Sequence, residues 1–188
     1  PKAAPWHYTT IFEGAGEGLA KCDIDKDGKV ELVAGGRWFE YNGGTAFTAY
    51  IIDEAQSHSR IAVGDLNGDG RLEVVMVPAE SLGRLKWYEC QGDPKDLRSW
   101  VGNDLLGFDV NHGHSLAVAD INGDGHLDIF CAEMAKWSGG TTVPDNPNTK
   151  AWILYGDGKG NFTRTELITG YGFHEARVAD LNGDGRLD

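Results

Sequence analysis

One phrase recurs four times in this chain: CDIDKDGKVELVAG from Cys22, GDLNGDGRLEVVMV from Gly64, ADINGDGHLDIFCA from Ala119 and ADLNGDGRLD from Ala179. Its leading aspartates, Asp23, Asp65, Asp120 and Asp180, stand 42, 55 and 60 residues apart. That period is too long for tandem short calcium repeats and matches the length of a unit built from four short strands. Each unit divides accordingly. In the first, β-forming runs occupy 19–23, 30–34, 37–41 and 47–52; in the second, 60–65, 72–77, 84–89 and, more weakly, 100–106; in the third, 114–120, 127–132, 152–155 and 162–168. Turn residues bound every run, and no stretch keeps helical spacing for three turns. Glycine, at 27 of 188 residues, is about twice its usual share of about 7%, as many tight turns require.

These features predict an all-β fold, specifically a β-propeller with four-stranded blades. The units divide as 15–56, 57–111 and 112–172, with 173–188 opening a fourth blade and 1–14, through Trp6 to Phe12, supplying an outer strand of a preceding one. Three blades and parts of two more cannot close a ring. The chain is therefore expected to be part of a larger propeller, of seven blades by the resemblance named below, or an open arc that associates with the remaining blades or with itself. The third-strand aromatics Trp38, Trp87, Trp152, Tyr41, Tyr88 and Tyr155 are assigned to packing between blades. Cys22, Cys90 and Cys131 are odd in number and widely spaced, so they suggest small apolar residues at strand ends, not a disulfide framework or a zinc site.

The repeated phrase is also a set of oxygen donors. At loop positions 1, 3, 5 and 9 stand Asp23, Asp25, Asp27 and Glu31; Asp65, Asn67, Asp69 and Glu73; Asp120, Asn122, Asp124 and Asp128; and Asp180, Asn182, Asp184 and Asp188. Position 7 would add a backbone carbonyl from Lys29, Arg71, His126 or Arg186, and Gly28, Gly70, Gly125 or Gly185 at position 6 allows the sharp turn. Five hard oxygens from one short loop suit Ca²⁺, with up to four ions in a structural role. Position 12 holds Ala34, Met76 or Cys131 where an EF-hand needs a bidentate Glu, so the loops are not EF-hands. The competing reading is a metal-free turn rich in Asn, Asp and Gly; it explains neither the acid at position 9 nor four repetitions.

Charge agrees with a cation partner. The formal net charge is −12, and thirteen of the 29 acidic residues fall in the four loops, so four divalent ions would bring it to −4. Such an acidic chain disfavours nucleic acid. Apolar runs such as Val74 to Val77 are far shorter than the roughly 18 residues that span a bilayer, so no membrane insertion is expected.

At these loops the sequence resembles the FG-GAP and VCBS repeat family, whose loop D-x-[DN]-x-D-G-x-x-[DE] is matched four times. The resemblance implies a calcium-binding propeller, as in many secreted and cell-surface proteins, with the loop joining the first and second strands of a blade. It says little about activity, because enzymes, lectins and adhesion proteins share the motif.

If each first strand ends at its acidic loop, the residues ahead of that strand lie at the opposite mouth. Those residues are SHSR (His58, Arg60), HGHS (His112, His114) and FHEAR (His174, Glu175, Arg177), with Glu17 in the first unit. His114 and His174 lie six residues before their aspartates and His58 seven, roughly 20 Å at about 3.3 Å per residue, so metal and histidine do not meet. The second strand runs back to the same mouth, which places the long 133–150 loop above it, with Trp137 available to stack on a sugar ring. The histidines are then either acid, base and hydrogen-bonding groups or duplicated strand starts. The clustered histidines also resemble seven-bladed propeller polysaccharide lyases that cleave rhamnose-glucuronate chains. That resemblance implies a carbohydrate substrate, His58, His114 or His174 as base for the C5 proton, Arg60 or Arg177 on the uronate carboxylate, and Tyr171 as proton donor to the leaving oxygen, with His112 in the same cluster. A lectin or adhesion module would use the same mouth for binding alone.

Overall fold

Short apolar runs punctuated by Gly, Asn and Asp can satisfy their backbone only by pairing with one another. The computed structural model, which describes residues 7–14 and 16–188, pairs them within each repeat. The first sheet holds β1 (Leu19–Cys22), β2 (Glu31–Ala34), β3 (Arg37–Tyr41) and β4 (Phe47–Ile51). The second holds β5 (Ser59–Gly64), β6 (Glu73–Pro78), β7 (Leu82–Cys90) and β8 (Trp100–Asn111), and the third β9 (Ser115–Ala119), β10 (Asp128–Ala132), β11 (Lys150–Gly156) and β12 (Phe162–Thr169). Every neighbouring pair is antiparallel and sequential, so each repeat is a four-stranded meander. Among the described residues there is no α-helix, only 3₁₀ turns at Glu54–Gln56 and Leu97–Ser99.

The sheets stack face to face, with the innermost strands in the order β1, β5, β9. Second strands show the packing logic. All six residues of β6 are buried, and its side chains alternate: Val74 and Met76 join Cys22, Val33 and Trp38 of the first sheet, whereas Val75 and Val77 join Ile129, Cys131 and Trp152 of the third. A strand covered on both faces reads as a continuous apolar run, as EVVMVP does. β10 repeats the arrangement, with Phe130 and Ala132 turned toward Phe173, Ala176 and Val178. Polar contacts lock the sheets together as well. Trp38 Nε1 donates to Pro94 O at 3.0 Å, and Tyr88 Oη donates to Asp53 Oδ2 at 2.6 Å. This is an arc of propeller blades, and the three sheets do not close into a ring.

Several expectations need correction. The outer strand expected within 1–14 is not formed over residues 7–14, and Trp6 lies outside the described residues. Phe12 packs its ring 5.6 Å from that of Phe39, with the Arg37 guanidinium 5.0 Å from it. The first strand of the fourth unit is also absent over 173–178, where Ala179 and Asp188 make the backbone pairing that the acidic loop closes. β8 runs to Asn111, longer than expected. Trp38, Trp87, Trp152 and Tyr88 are buried, but Tyr155 is only half-buried and Tyr41 is exposed. Cys22 and Cys90 close β1 and β7, while Cys131 lies inside β10; all three are buried free thiols.

Just ahead of β1, against the backbone of β5, Gly18 leaves no room for a side chain. A Cβ there would lie 2.5 Å from the Ile61 nitrogen and 2.8 Å from the Arg60 Cα, both backbone atoms. Gly18→Ala should therefore cost about 1–3 kcal/mol, measured by chemical denaturation, because backbone cannot yield as a flexible side chain can. An unchanged midpoint would show that the two blades do not meet there.

Candidate functional site

Two clusters of polar residues lie at opposite ends of the first strands. The acidic loops join β1 to β2, β5 to β6 and β9 to β10, and the fourth follows Ala179. In each, the position-1 aspartate cradles the turn: Asp65 accepts from Gly68 N at 2.8 Å and Gly70 N at 2.9 Å, and Asp120 and Asp180 accept from their corresponding glycines. Positions 3 and 5 each accept a backbone N–H two residues on, as Asn67 and Asp69 do. Position 4 is left-handed too, with φ of 74° at Gly68, 76° at Gly123 and Gly183, and 61° at Lys26. Glycine fills this position in three loops and lysine in the first.

The position-9 acid is buried beneath the loop. Glu31, Glu73 and Asp128 are at most 1% exposed, and each accepts the N–H of the position-2 residue: Ile24 at 3.0 Å, Leu66 at 2.7 Å and Ile121 at 2.9 Å. Asp188 does the same for Leu181 at 3.0 Å. The remaining oxygens decide whether a cation fits. Glu73 Oε1 and Asp23 Oδ1 are buried without a hydrogen-bond partner among the described residues, an arrangement that costs free energy unless a positive partner is supplied. Burial pushes the Glu73 carboxyl up to about 7, and Asp69 and Asp65 act in the same sense. In the first loop, carboxylate oxygens of Asp23, Asp25 and Asp27 lie within 4.8 Å of one another. The donor set thus fits a hard divalent cation. Lys29 Nζ sits 2.6 Å from Asp27 Oδ2, whereas Arg71 turns away to the Cys90 and Gly92 carbonyls.

At the other end a cavity of about 350 Å³ is lined by Glu17, Arg60, His114, Glu175 and Arg177 with inner-strand backbone. His114 is buried and fixed at both ring nitrogens. Arg60 Nη2 lies 3.1 Å from Nδ1, and Nε2 lies 2.9 Å from Glu80 Oε1. Arginine has no lone pair to offer, so Nδ1 accepts and Nε2 carries the proton donated to Glu80. Lys136 approaches the other Glu80 oxygen at 3.4 Å and His112 Nε2 at 3.5 Å. Burial lowers the pKa of His112, and the Lys136 charge adds to the effect. Arg60 also donates to Glu175, and this holds the Glu175 carboxyl below its ordinary range. His174 stacks on His114, ring centroids 4.7 Å apart, and is itself exposed; neither of its ring nitrogens has a hydrogen-bond partner among the described residues.

The structure therefore brings together Arg60, His112, His114, His174 and Arg177, and adds Glu80, Glu175 and Lys136. His58 is exposed, bonds to Ser57 Oγ at 3.2 Å and does not line the cavity; Tyr171, 63% exposed, does not line it either. Glu80 sits in a turn outside the repeated phrase, and no sequence pattern marks it. The 133–149 segment, which has no strand of its own, starts at this mouth, where Met134 N donates to His112 O at 2.8 Å. Met134, Lys136, Trp137 and His174 border a second cavity of about 330 Å³, and Trp137 is 57% exposed.

Residues 23–76 match the family model of an FG-GAP-like repeat, and residues 112–143 match that of an FG-GAP repeat. Over these two stretches the chain is similar to FG-GAP repeats. The first match spans two acidic loops and ends in β6; the second runs from His112 through the third loop into the long segment. FG-GAP repeats form a general propeller module, in keeping with the three blades, and carry no single activity.

Glu133 anchors the long segment at the mouth. It is 7% exposed; Oε1 accepts from Asn111 N at 2.7 Å, and Oε2 accepts from Lys150 N at 3.0 Å and Asn146 Nδ2 at 3.3 Å. An amide would turn an N–H against one of these donors. Glu133→Gln should cost about 1–3 kcal/mol and speed proteolysis within 134–149, read by thermal melting and limited digestion. Unchanged cleavage would remove Glu133 as the anchor.

Proposed function

We propose that this is a calcium-stabilised propeller module that binds carbohydrate at the His114 mouth. The observation that carries the binding reading is the polar cavity lined by Arg60, Arg177, His114, Glu17 and Glu175, with the exposed Trp137 and His174 bordering a second cavity: hydrogen-bonding groups for hydroxyls at the same mouth as an indole face for a pyranose. The ions would be held by side-chain oxygens at positions 1, 3, 5 and 9 of each loop, where they neutralise acids that the fold forces together. They lie at the far end of the inner strands and take no part in recognition. An extracellular or cell-surface setting suits this reading, since calcium there loads sites of the ~0.1–1 mM class. Among the described residues, no helix is long and apolar enough to cross a membrane.

A second reading, lyase action on a uronate chain, draws on one specific feature, the exposed imidazole of His174 stacked on His114. His114 is a poor base because both ring nitrogens are engaged. His174 would take the C5 proton while the C4–O bond breaks and a C4=C5 double bond forms, the departing oxygen collecting a proton from solvent.

Chelation should lower the melting temperature of the protein, because each loaded site contributes about 2.7 kcal/mol at a 100-fold excess of calcium over Kd. Asp65→Ala should reproduce part of that loss. A melting temperature indifferent to calcium would end the metal reading. At the other mouth, His174→Ala should weaken oligosaccharide binding about tenfold, or about 1.4 kcal/mol, with an unchanged melting temperature. Calorimetry with uronate and neutral oligomers measures this, and the absorbance of unsaturated uronate tests for cleavage. Normal binding by His174→Ala would point away from this mouth, and binding without any cleavage by the parent protein would decide for a lectin.

A further inference from the structure

The mouth already holds a carboxylate of its own. Glu175 accepts a hydrogen bond from Arg60 and lies 3.4 Å from Arg177 Nη2. The two arginines differ: the Arg60 side chain is 18% exposed and the Arg177 side chain 83%. Arg60 is held from behind, since Glu80 orients His114 and His114 accepts from the guanidinium. An arginine fixed in this way is a preorganised receptor for a planar anion. Its carboxylate partner is much less fixed. Glu175 is 46% exposed and belongs to the 173–178 segment, which forms no strand and is tied down through other atoms: Phe173 N to Glu133 O, Ala176 N to Ser115 Oγ, and the Phe173, Ala176 and Val178 side chains on Phe130 and Ala132. The Glu175 side chain can therefore swing away by its own rotamers while the segment stays docked.

We propose that Glu175 is an internal competitor, which the carboxylate of an acidic sugar displaces from Arg60 and Arg177. The proposal rests on the mouth being a carbohydrate site and deepens it: the preferred ligand is an acidic glycan, and the exchange of one carboxylate for another sets its affinity. Neutral glycans, with nothing to exchange, leave the Arg60–Glu175 pair in place.

Calorimetry on the whole chain, with calcium present, tests this with an oligogalacturonate, a neutral galactose oligomer of the same length and acetate, which carries the anion without the sugar. Glu175→Gln keeps the shape and removes the competing charge. It should bind the oligogalacturonate about tenfold more tightly than the parent and the neutral oligomer equally. Arg177→Ala, at an exposed position, should lose most of the preference for the acidic oligomer. If the parent binds both oligomers and Glu175→Gln gains nothing for the acidic one, Glu175 is no competitor and the exchange is overturned while the carbohydrate reading stands. If neither oligomer binds but Glu175→Gln takes up acetate more tightly than the parent, the exchange stands and the carbohydrate reading falls. If no anion distinguishes Glu175→Gln from the parent, the exchange is overturned.

Discussion

Each repeat is organised around a carboxylate buried at the start of its second strand. Glu31, Glu73 and Asp128 lie out of water and accept the backbone N–H two residues past the end of the first strand, at Ile24, Leu66 and Ile121. One hydrogen bond thereby closes the loop and sets where β2, β6 and β10 begin, and in the first loop the carboxylates of Asp23, Asp25 and Asp27 come within 4.8 Å of one another. In the third repeat Gly156 N satisfies the second oxygen of Asp128, but at Glu73 the second oxygen is left without a donor. A buried anion whose second oxygen has no donor, as at Glu73, favours a bound cation, so the closure of the turn and its donor chemistry are one feature.

Strand direction then keeps the two ends of the molecule chemically separate. Every first strand leaves the histidine mouth and arrives at an acidic loop, and every second strand returns. Between the ends β6 and β10 are buried along their whole length, with Val74 and Met76 committed to one neighbour and Val75 and Val77 to the other. The two ends lie roughly 20 Å apart at about 3.3 Å per strand residue, more than the Debye length of about 8 Å at physiological salt, so exposed charges at one end are largely screened from the other.

At the mouth, a chain of charge-assisted bonds crosses three repeats, from Lys136 and Glu80 through His114 and Arg60 to Glu175. Within it His114 is held at both ring nitrogens and Arg60 Nε is buried without a partner among the described residues, while the neighbouring His174 and Arg177 are exposed. Rigid groups behind and adaptable groups in front are the arrangement a recognition site requires.

The repeated phrase by itself determined the twelve strands, their grouping in fours and the oxygen-rich loops, because alternation, turn residues and period are local properties that survive in one dimension. Strand polarity also placed Arg60, His112, His114, His174 and Arg177 at one end, as the structure has them. Local sequence misjudged what depends on a partner. Residues 7–14 have the composition of a strand and form none, and Tyr41 lies in the same strand as the buried Trp38 but faces solvent. Only the tertiary structure decided how the mouth is wired. Glu80, Glu133 and Lys136 lie outside any motif, and they matter because the blades stack at a distance that puts Glu80 within 2.9 Å of His114 and seats the Glu133 carboxylate under the backbone of two other strands. His58 carries the same sequence signal as His114 and ends at the surface, because the direction of a side chain at a strand start is set by the packing around it and not by its distance from the aspartate.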